Sequence, residues 1–374
     1  MAIYTFLLVF ATTCLAAPSA AESLVVTDTP DHVRPYVVPH LTGHVVGNNR
    51  FPITAASSGG SMTLLSTNAG RSEYLSVPPH SHKRGYENFF CSRGALQLWL
   101  ATSNTDQQLR LLEPGDMGAS PPGRIHAFQT MRPDTELFGV TFPGGLEKMF
   151  YAGGGNATFA TSTPFDPAPF KFTPGAAAPP RTAPRPGGTT SSMQEVFDIY
   201  PVQGFTARTD VGNGSAPASP HWHVRNEPLP KDTSAPFYVA NNFAPKFLNS
   251  ENGYTIVSPI NTSPRSAPYN FTLSYLTMSK PKDVAAVPWR TFEEHGAFRI
   301  QDGALSMTVD GYGDYVPMHY GDVAFIPKGT KYKIHALVPG TKTLYVAVNG
   351  NGLDALLMRT AKPWDSASWP AAFA

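Results

Sequence analysis

The sequence is short of cysteine. It has two, Cys14 inside the leading apolar stretch and Cys91 in the body of the chain. Once a leader is removed, Cys91 stands alone, which excludes an internal disulfide even in an oxidising compartment. Charge is also scarce. Only 15% of residues are charged, and 28 basic against 27 acidic side chains leave a formal net charge of +1. That balance gives no reason to expect nucleic acid or an acidic membrane surface as partner. No apolar run approaches the roughly 20 residues of a membrane-spanning helix. Positive charge is missing from the very start as well, where a secretory leader usually carries Lys or Arg. Residues 1–21 nevertheless read as such a leader, with Phe6-Leu-Leu-Val-Phe10 as its apolar core and the small residues of Leu15-Ala-Ala-Pro-Ser-Ala-Ala21 for cleavage. Four Asn-x-Ser/Thr sequons, at Asn156, Asn213, Asn261 and Asn270, agree with a secreted, extracellular glycoprotein.

Proline and glycine are abundant, 37 and 32 in 374 residues, which favours short strands and turns over long helices. Residues 22–152 read as a first strand-rich domain. Phe89-Phe-Cys91, Ala95-Leu-Gln-Leu-Trp-Leu100 and Thr135-Glu-Leu-Phe-Gly-Val-Thr-Phe142 have strand composition, and Glu113-Pro-Gly-Asp116 and Pro143-Gly-Gly145 punctuate them. Residues 153–210 form a linker rich in Pro, Ala, Ser and Thr. Residues 211–374 form a second strand-rich domain.

The chemistry concentrates in the first domain. His80-Ser-His82 is followed five residues on by Glu87, and His126 comes later. Alternate residues of a strand share a face, so His80 and His82 project together. Three imidazoles and one carboxylate can hold a transition metal with a position left for an exogenous ligand, whereas a structural site is normally closed by its protein ligands. These ligand types leave copper, manganese, iron, nickel and zinc open. The framing residues are spaced as two motifs: His80-x-His82, four residues, Glu87, six residues, Gly94; then Gly115, five residues, Pro121-x-Gly123, two residues, His126. Ordinary surface histidines are the plain alternative, and two ordered motifs weigh against it. Cys91 reads as a buried core thiol.

The spacing resembles the two motifs of the cupin superfamily, with Tyr74 where the first usually opens on Gly and Thr130 where the second usually closes on Asn. The second domain carries a faint copy: Gly321, five residues, Pro327-x-Gly329. Counting residues places Trp289, Thr291, Gly296 and Tyr332 where His80, His82, Glu87 and His126 stand in the first. His295 and His335 fall out of register with the ligand positions, so both read as structural or exposed. His221-Trp-His223, followed by Glu227, imitates the ligand motif but lies among prolines and reads as a loop.

The string Pro79-His-Ser-His-Lys-Arg-Gly-Tyr-Glu-Asn-Phe-Phe-Cys91, with His126-Ala-Phe128, Pro143-Gly-Gly145, Asp31-His-Val-Arg-Pro-Tyr36, Lys246-Phe-Leu-Asn-Ser250 and Gly321-Asp-Val-Ala-Phe-Ile-Pro327, closely resembles fungal quercetin 2,3-dioxygenases over almost the whole chain after the leader. The resemblance implies an all-β fold of two cupin jelly-roll barrels joined by the Pro-rich linker, with few short helices. It implies a secreted enzyme with one metal ion per chain, Cu2+, that opens flavonols such as quercetin with O2, giving a depside and carbon monoxide. His80, His82, Glu87 and His126 carry over as ligands, and Glu87 also as the base for the flavonol 3-hydroxyl. Family members line the cavity with aromatic and Met side chains. Phe89 and Phe128 fit that pattern and Phe90 faces away into the core; Asn49, Leu65, Leu137 and Leu146 stand where the family carries larger or more aromatic residues, and with Thr67 they complete the expected pocket. A homodimer is left open. Two other readings are an oxalate-degrading bicupin, which would need polar or cationic groups around a small dianion, and a non-catalytic binding cupin, in which the metal shell would often be degraded in both barrels.

Overall fold

The computed structural model describes residues 22–152, 191–210, 229, 231–366 and 370. The expected leader, the sequons at Asn156 and Asn213, most of the linker and the His221–Glu227 segment lie outside the described residues. What is described is all-β, with short helices at Glu147–Ala152, Ser191–Phe197 and Leu353–Met358. None of these is long and apolar enough to cross a membrane.

Each half of the chain forms a jelly-roll barrel of antiparallel strands. The front barrel pairs a seven-stranded sheet with a five-stranded one. The larger contains Asn49–Ile53, Thr63–Ala69, Tyr86–Arg93, Met117–Ser120 and Thr135–Phe142, and the smaller contains Val77–Ser81, Leu96–Ala101, Gln107–Leu112 and Ile125–Thr130. The back barrel is an eight-stranded sheet facing a three-stranded one.

Period-two alternation decides what each face does. On Tyr86–Arg93, the side chains of Phe89 and Cys91 point into the front barrel, where they join Leu96, Leu98, Leu100, Phe128 and Leu137. Tyr86 and Phe90 point the other way, into a core shared by both barrels with Phe138, Phe142, Phe271, Leu273, Tyr275 and Phe325. Phe90 therefore packs between the barrels, as its register requires. Cys91 is 1% exposed, and burial, helped by the nearby Asp116 carboxylate, pushes its thiol up to about 12.

Two strands cross the boundaries drawn from the sequence. Tyr36–Val38, in the first half, pairs with Val323–Ile326 of the back barrel. Phe237–Val239, in the second half, pairs with Met117–Ser120 of the front barrel. Each half thus lends its opening strand to the other. Part of the expected linker is also built into the front barrel, because Tyr200–Pro201 pairs with Val77–Ser81. Between the large sheets, Arg299 Nη2 donates to Glu136 Oε1 at 2.8 Å with side-chain exposures of 1% and 0%. Ser66 also donates to Glu136, and His40 Nε2 lies 3.3 Å from both carboxylate oxygens.

The sequon at Asn261 is corrected by this packing. Asn261 ends the strand Thr255–Asn261 with no exposure, and its Nδ2 approaches the Tyr86 hydroxyl at 3.1 Å and donates to Asn88 Oδ1 at 3.2 Å. A side-chain nitrogen committed between two barrels has no room for a glycan. Asn270 is exposed, at φ 55°.

Candidate metal centre

Three strands and one turn deliver the ligands. Val77–Ser81 carries His80, the turn that follows carries His82, Tyr86–Arg93 carries Glu87, and Ile125–Thr130 carries His126. His126 lies directly across the ladder from His80. One donor atom from each of the four residues falls within 4.8 Å of the other three. His126 Nε2 lies 2.8 Å from Glu87 Oε2 and 3.1 Å from His80 Nε2, and His82 Nε2 lies 3.5 Å from Glu87 Oε1. Ligands about 2.1 Å from a shared ion at tetrahedral angles stand about 3.4 Å apart, so these separations suit one ion.

Partners on the far side of each ring fix which nitrogen faces inward. His80 Nδ1–H donates to the Pro78 carbonyl at 2.9 Å, and His82 Nδ1–H donates to the Asp198 carbonyl at 2.7 Å. A carbonyl can only accept, so both rings turn an Nε2 lone pair toward the centre. His126 Nδ1 is paired with the Ser120 hydroxyl at 3.1 Å. The Nε2 of His82 is buried with no hydrogen-bond partner. Buried polar atoms are rarely left so, and converging lone pairs beside a carboxylate repel unless a cation or proton lies among them. The donor set and the orphaned nitrogen both fit a divalent transition ion.

The electrostatics agree. Burial, then the neighbouring rings of His126 and His82, push His80 well below the ordinary imidazole value. Burial would also lower His82, but Glu87 and the Asp198 carbonyl outweigh it and raise the group. Burial would raise Glu87, but the two imidazoles outweigh it and hold the carboxyl well below the carboxylate range. A proton at His82 therefore competes with a metal for this pocket.

The motif glycines act at the backbone. Gly94, at φ 77°, sits where a Cβ would meet the Asp134 carbonyl at 2.5 Å. Gly123, at φ 78°, donates its N–H to the His82 carbonyl at 2.6 Å, so the second motif braces a ligand of the first.

No family model matches the chain. Over 357 residues it is 40% identical to the quercetin 2,3-dioxygenase of Aspergillus japonicus, an alignment covering 94% of this chain and 99% of that protein. The chain belongs to the quercetin 2,3-dioxygenase family. Among solved structures, oxalate decarboxylase from Bacillus subtilis is similar with 13% identity and a TM-score of 0.47, covering 87% of this chain and 78% of that one. The protein Ylba from E. coli is similar with 10% identity and a TM-score of 0.43, covering 89% of this chain and 95% of that one.

Of the pocket residues expected from the quercetin 2,3-dioxygenase resemblance, several share the interior face of the front barrel. The Phe89 ring lies 5.2 Å from the His126 ring and 6.4 Å from the Phe128 ring. Leu137 packs in the same cluster and pairs across the ladder with Thr67, while Leu65 lies opposite Gly139 beside Phe89. Asn49 stands further out and accepts a 2.6 Å hydrogen bond from Thr67. Leu146 is half-buried before the helix Glu147–Ala152 and stands outside the cluster. Asp198 and Ser120 were missed in the sequence, since Asp198 lies outside both motifs and Ser120 is one of the five unspecified positions of the second.

In the back barrel the ladder corrects the counted positions by one residue. Arg290, not Trp289, lies across from Tyr332, as His80 lies across from His126. Gly329 N–H donates to the carbonyl of Phe292, not Thr291, as Gly123 does to His82. The turn from Phe292 to Gly296 is one residue shorter than that from His82 to Glu87, which defeats counting. The Tyr345 ring approaches the space where a side chain at Gly296 would go, its hydroxyl 3.2 Å from an added Cβ, and Phe298 packs between Tyr332 and Tyr345. The ligand positions here hold Arg290, Phe292, Gly296 and Tyr332, of which none is a usual metal ligand.

Proposed function

We propose that this chain is a secreted, copper-dependent flavonol 2,3-dioxygenase. The observation that carries the reading is the convergence of His80, His82, Glu87 and His126 in a chain that belongs to this family. In the proposed reaction both atoms of O2 enter the depside product and one carbon of the heterocyclic ring leaves as carbon monoxide.

His80, His82, His126 and Glu87 would hold the ion. When bound, a redox-active ion would supply a site for the substrate anion and the electron withdrawal that gives it the radical character triplet O2 needs. Glu87 accepts the proton of the flavonol 3-hydroxyl. A carboxylate beside the docking position is within reach of that proton, and a bound ion would increase the acidity of the hydroxyl. Phe89, Phe128 and Leu137 give the ring system an apolar wall and keep water from reactive intermediates. This surrounding suits a flat polyphenol better than a small dianion. Copper, export and glycosylation at Asn270 belong to the same proposal.

The test is aerobic incubation of the copper-loaded protein with quercetin. The expected result is loss of the flavonol absorbance with carbon monoxide released in equal amount. A fully loaded protein that leaves the absorbance unchanged with quercetin and with other flavonols would overturn the proposal.

A further inference from the structure

We infer that Asp198, from the segment expected to be only a linker, is a positioning residue for the metal centre. It clamps the turn between His82 and Glu87 and sets the His82 ring. The inference rests on the four-ligand metal reading above.

Asp198 is 8% exposed and contributes two groups. Its main-chain carbonyl accepts the His82 Nδ1–H at 2.7 Å. Its carboxylate accepts three consecutive backbone N–H groups of the turn: Lys83 at 3.0 Å on Oδ1, and Arg84 and Gly85 at 2.8 Å each on Oδ2. Successive N–H groups around one anion form a concave nest in which charge-assisted hydrogen bonds are strong. The turn is wound so tightly that a Cβ at Gly85 would meet the His82 Cβ at 3.0 Å and Asp198 Oδ2 at 3.7 Å. One residue therefore ties down both the ring of one ligand and the backbone leading to the next.

The carrier is itself anchored. Tyr200 and Pro201 pair with Ser81 and His80, and Val202 N–H donates to the Pro79 carbonyl at 3.0 Å. Arg84 Nη2 donates to the Glu195 carbonyl at 3.1 Å, and Lys83 Nζ lies 4.1 Å over the Tyr200 ring. From the back barrel, the Tyr269 hydroxyl donates to the Arg84 carbonyl. His82 lies one residue beyond its strand, so strand geometry alone does not hold it. A metal tolerates about 0.2 Å of ligand displacement, and partners behind a ligand are typically worth 10–100-fold in metal affinity.

Asp198 has φ 57°, the left-handed region that Asn and Gly tolerate best. Asp198→Asn and Asp198→Gly therefore test the clamp without adding backbone strain. The experiment strips metal from wild type and variants and measures Cu2+ affinity by competition with a chelator. It also records the Cu2+ EPR spectrum and the melting temperature with and without Cu2+, using His126→Ala as a control. Both variants keep the main-chain carbonyl; Asp198→Asn loses only the charge and should weaken Cu2+ binding roughly 10-fold, whereas Asp198→Gly loses every side-chain acceptor of the turn and should approach 100-fold. Both should alter the EPR signal of the ion and shrink the melting shift that Cu2+ produces. Affinity and EPR signal unchanged in both variants would overturn the clamp, as would equal losses of melting temperature with and without Cu2+. If Asp198→Gly fails to fold, Asp198→Asn alone decides. A wild type that binds Cu2+ no better than His126→Ala would instead overturn the four-ligand reading on which the inference rests.

Discussion

Removing the charge of Glu136 should destabilise the whole molecule through the seam between its barrels. Glu136 and Arg299 have side-chain exposures of 0% and 1%, so solvent screens the pair little. Burial would raise the Glu136 carboxyl, but the contacts with His40 and Arg299 outweigh it and lower the group from 4.5 to about 2. The fall from 4.5 to about 2, at roughly 1.36 kcal/mol per tenfold change in proton affinity, corresponds to about 3 kcal/mol, of the order of the 3–5 kcal/mol typical of breaking one side of a buried ion pair. With an unfolding entropy of about 2.1 cal/mol/K per residue, that loss should lower the melting temperature of the 374-residue chain by about 4 °C in Glu136→Gln. The sign with pH follows from the lowered value. The stabilisation is fully present above about 4.5 and is lost as pH falls toward about 2, so wild type and Glu136→Gln should converge in acid. Chemical denaturation at a series of pH values measures this. The double variant Glu136→Gln/Arg299→Met should cost less than the two single variants together, because no buried charge is left unpaired. A Glu136→Gln melt within 1 °C of wild type at neutral pH, or a gap that persists unchanged into acid, would refute the reasoning.

The other predictions concern the site. His126→Ala should lose most of its metal, while Glu87→Gln should retain more metal than activity; elemental analysis beside turnover checks this, and equal metal loss would remove the separate base role. Gly123→Ala should weaken metal retention and cost about 1–2 kcal/mol of strain, read from melts with and without metal, since Gly123 has φ 78° and an added Cβ meets nothing within 4 Å. Because His82 is raised and must lose its proton to bind an ion, metal affinity measured against pH should fall in weak acid sooner than an unperturbed imidazole would require. Phe89→Ala should raise the KM for quercetin more than it changes metal content, as steady-state kinetics beside elemental analysis would show.

The ligands were legible because their signal is local. A His-x-His and a fixed number of residues between turns are patterns a single segment carries, and they located all four ligands, although His82 falls one residue past its strand. Phe89 and Phe90 separated to opposite faces for the same reason. What was hidden depends on distant pairing. Asp198 lies 116 residues from the His82 ring it holds, in a stretch whose composition gave no sign of order. The exchange of Tyr36–Val38 and Phe237–Val239 likewise leaves no mark on either strand. Counting failed in the back barrel because one turn is a residue shorter, and the Asn261 sequon misled because a three-residue pattern says nothing about burial.

That reciprocal loan of opening strands binds the fate of the two halves. The catalytic half cannot close its own wall: part of the sheet behind Glu87 and Ser120 is supplied by residues that follow the linker. A gene fragment ending near residue 152 would leave Met117–Ser120 as a bare edge, open to pairing with any neighbouring chain. The half whose equivalent positions hold no usual metal ligand therefore still has work to do, as scaffolding for the site in the other half.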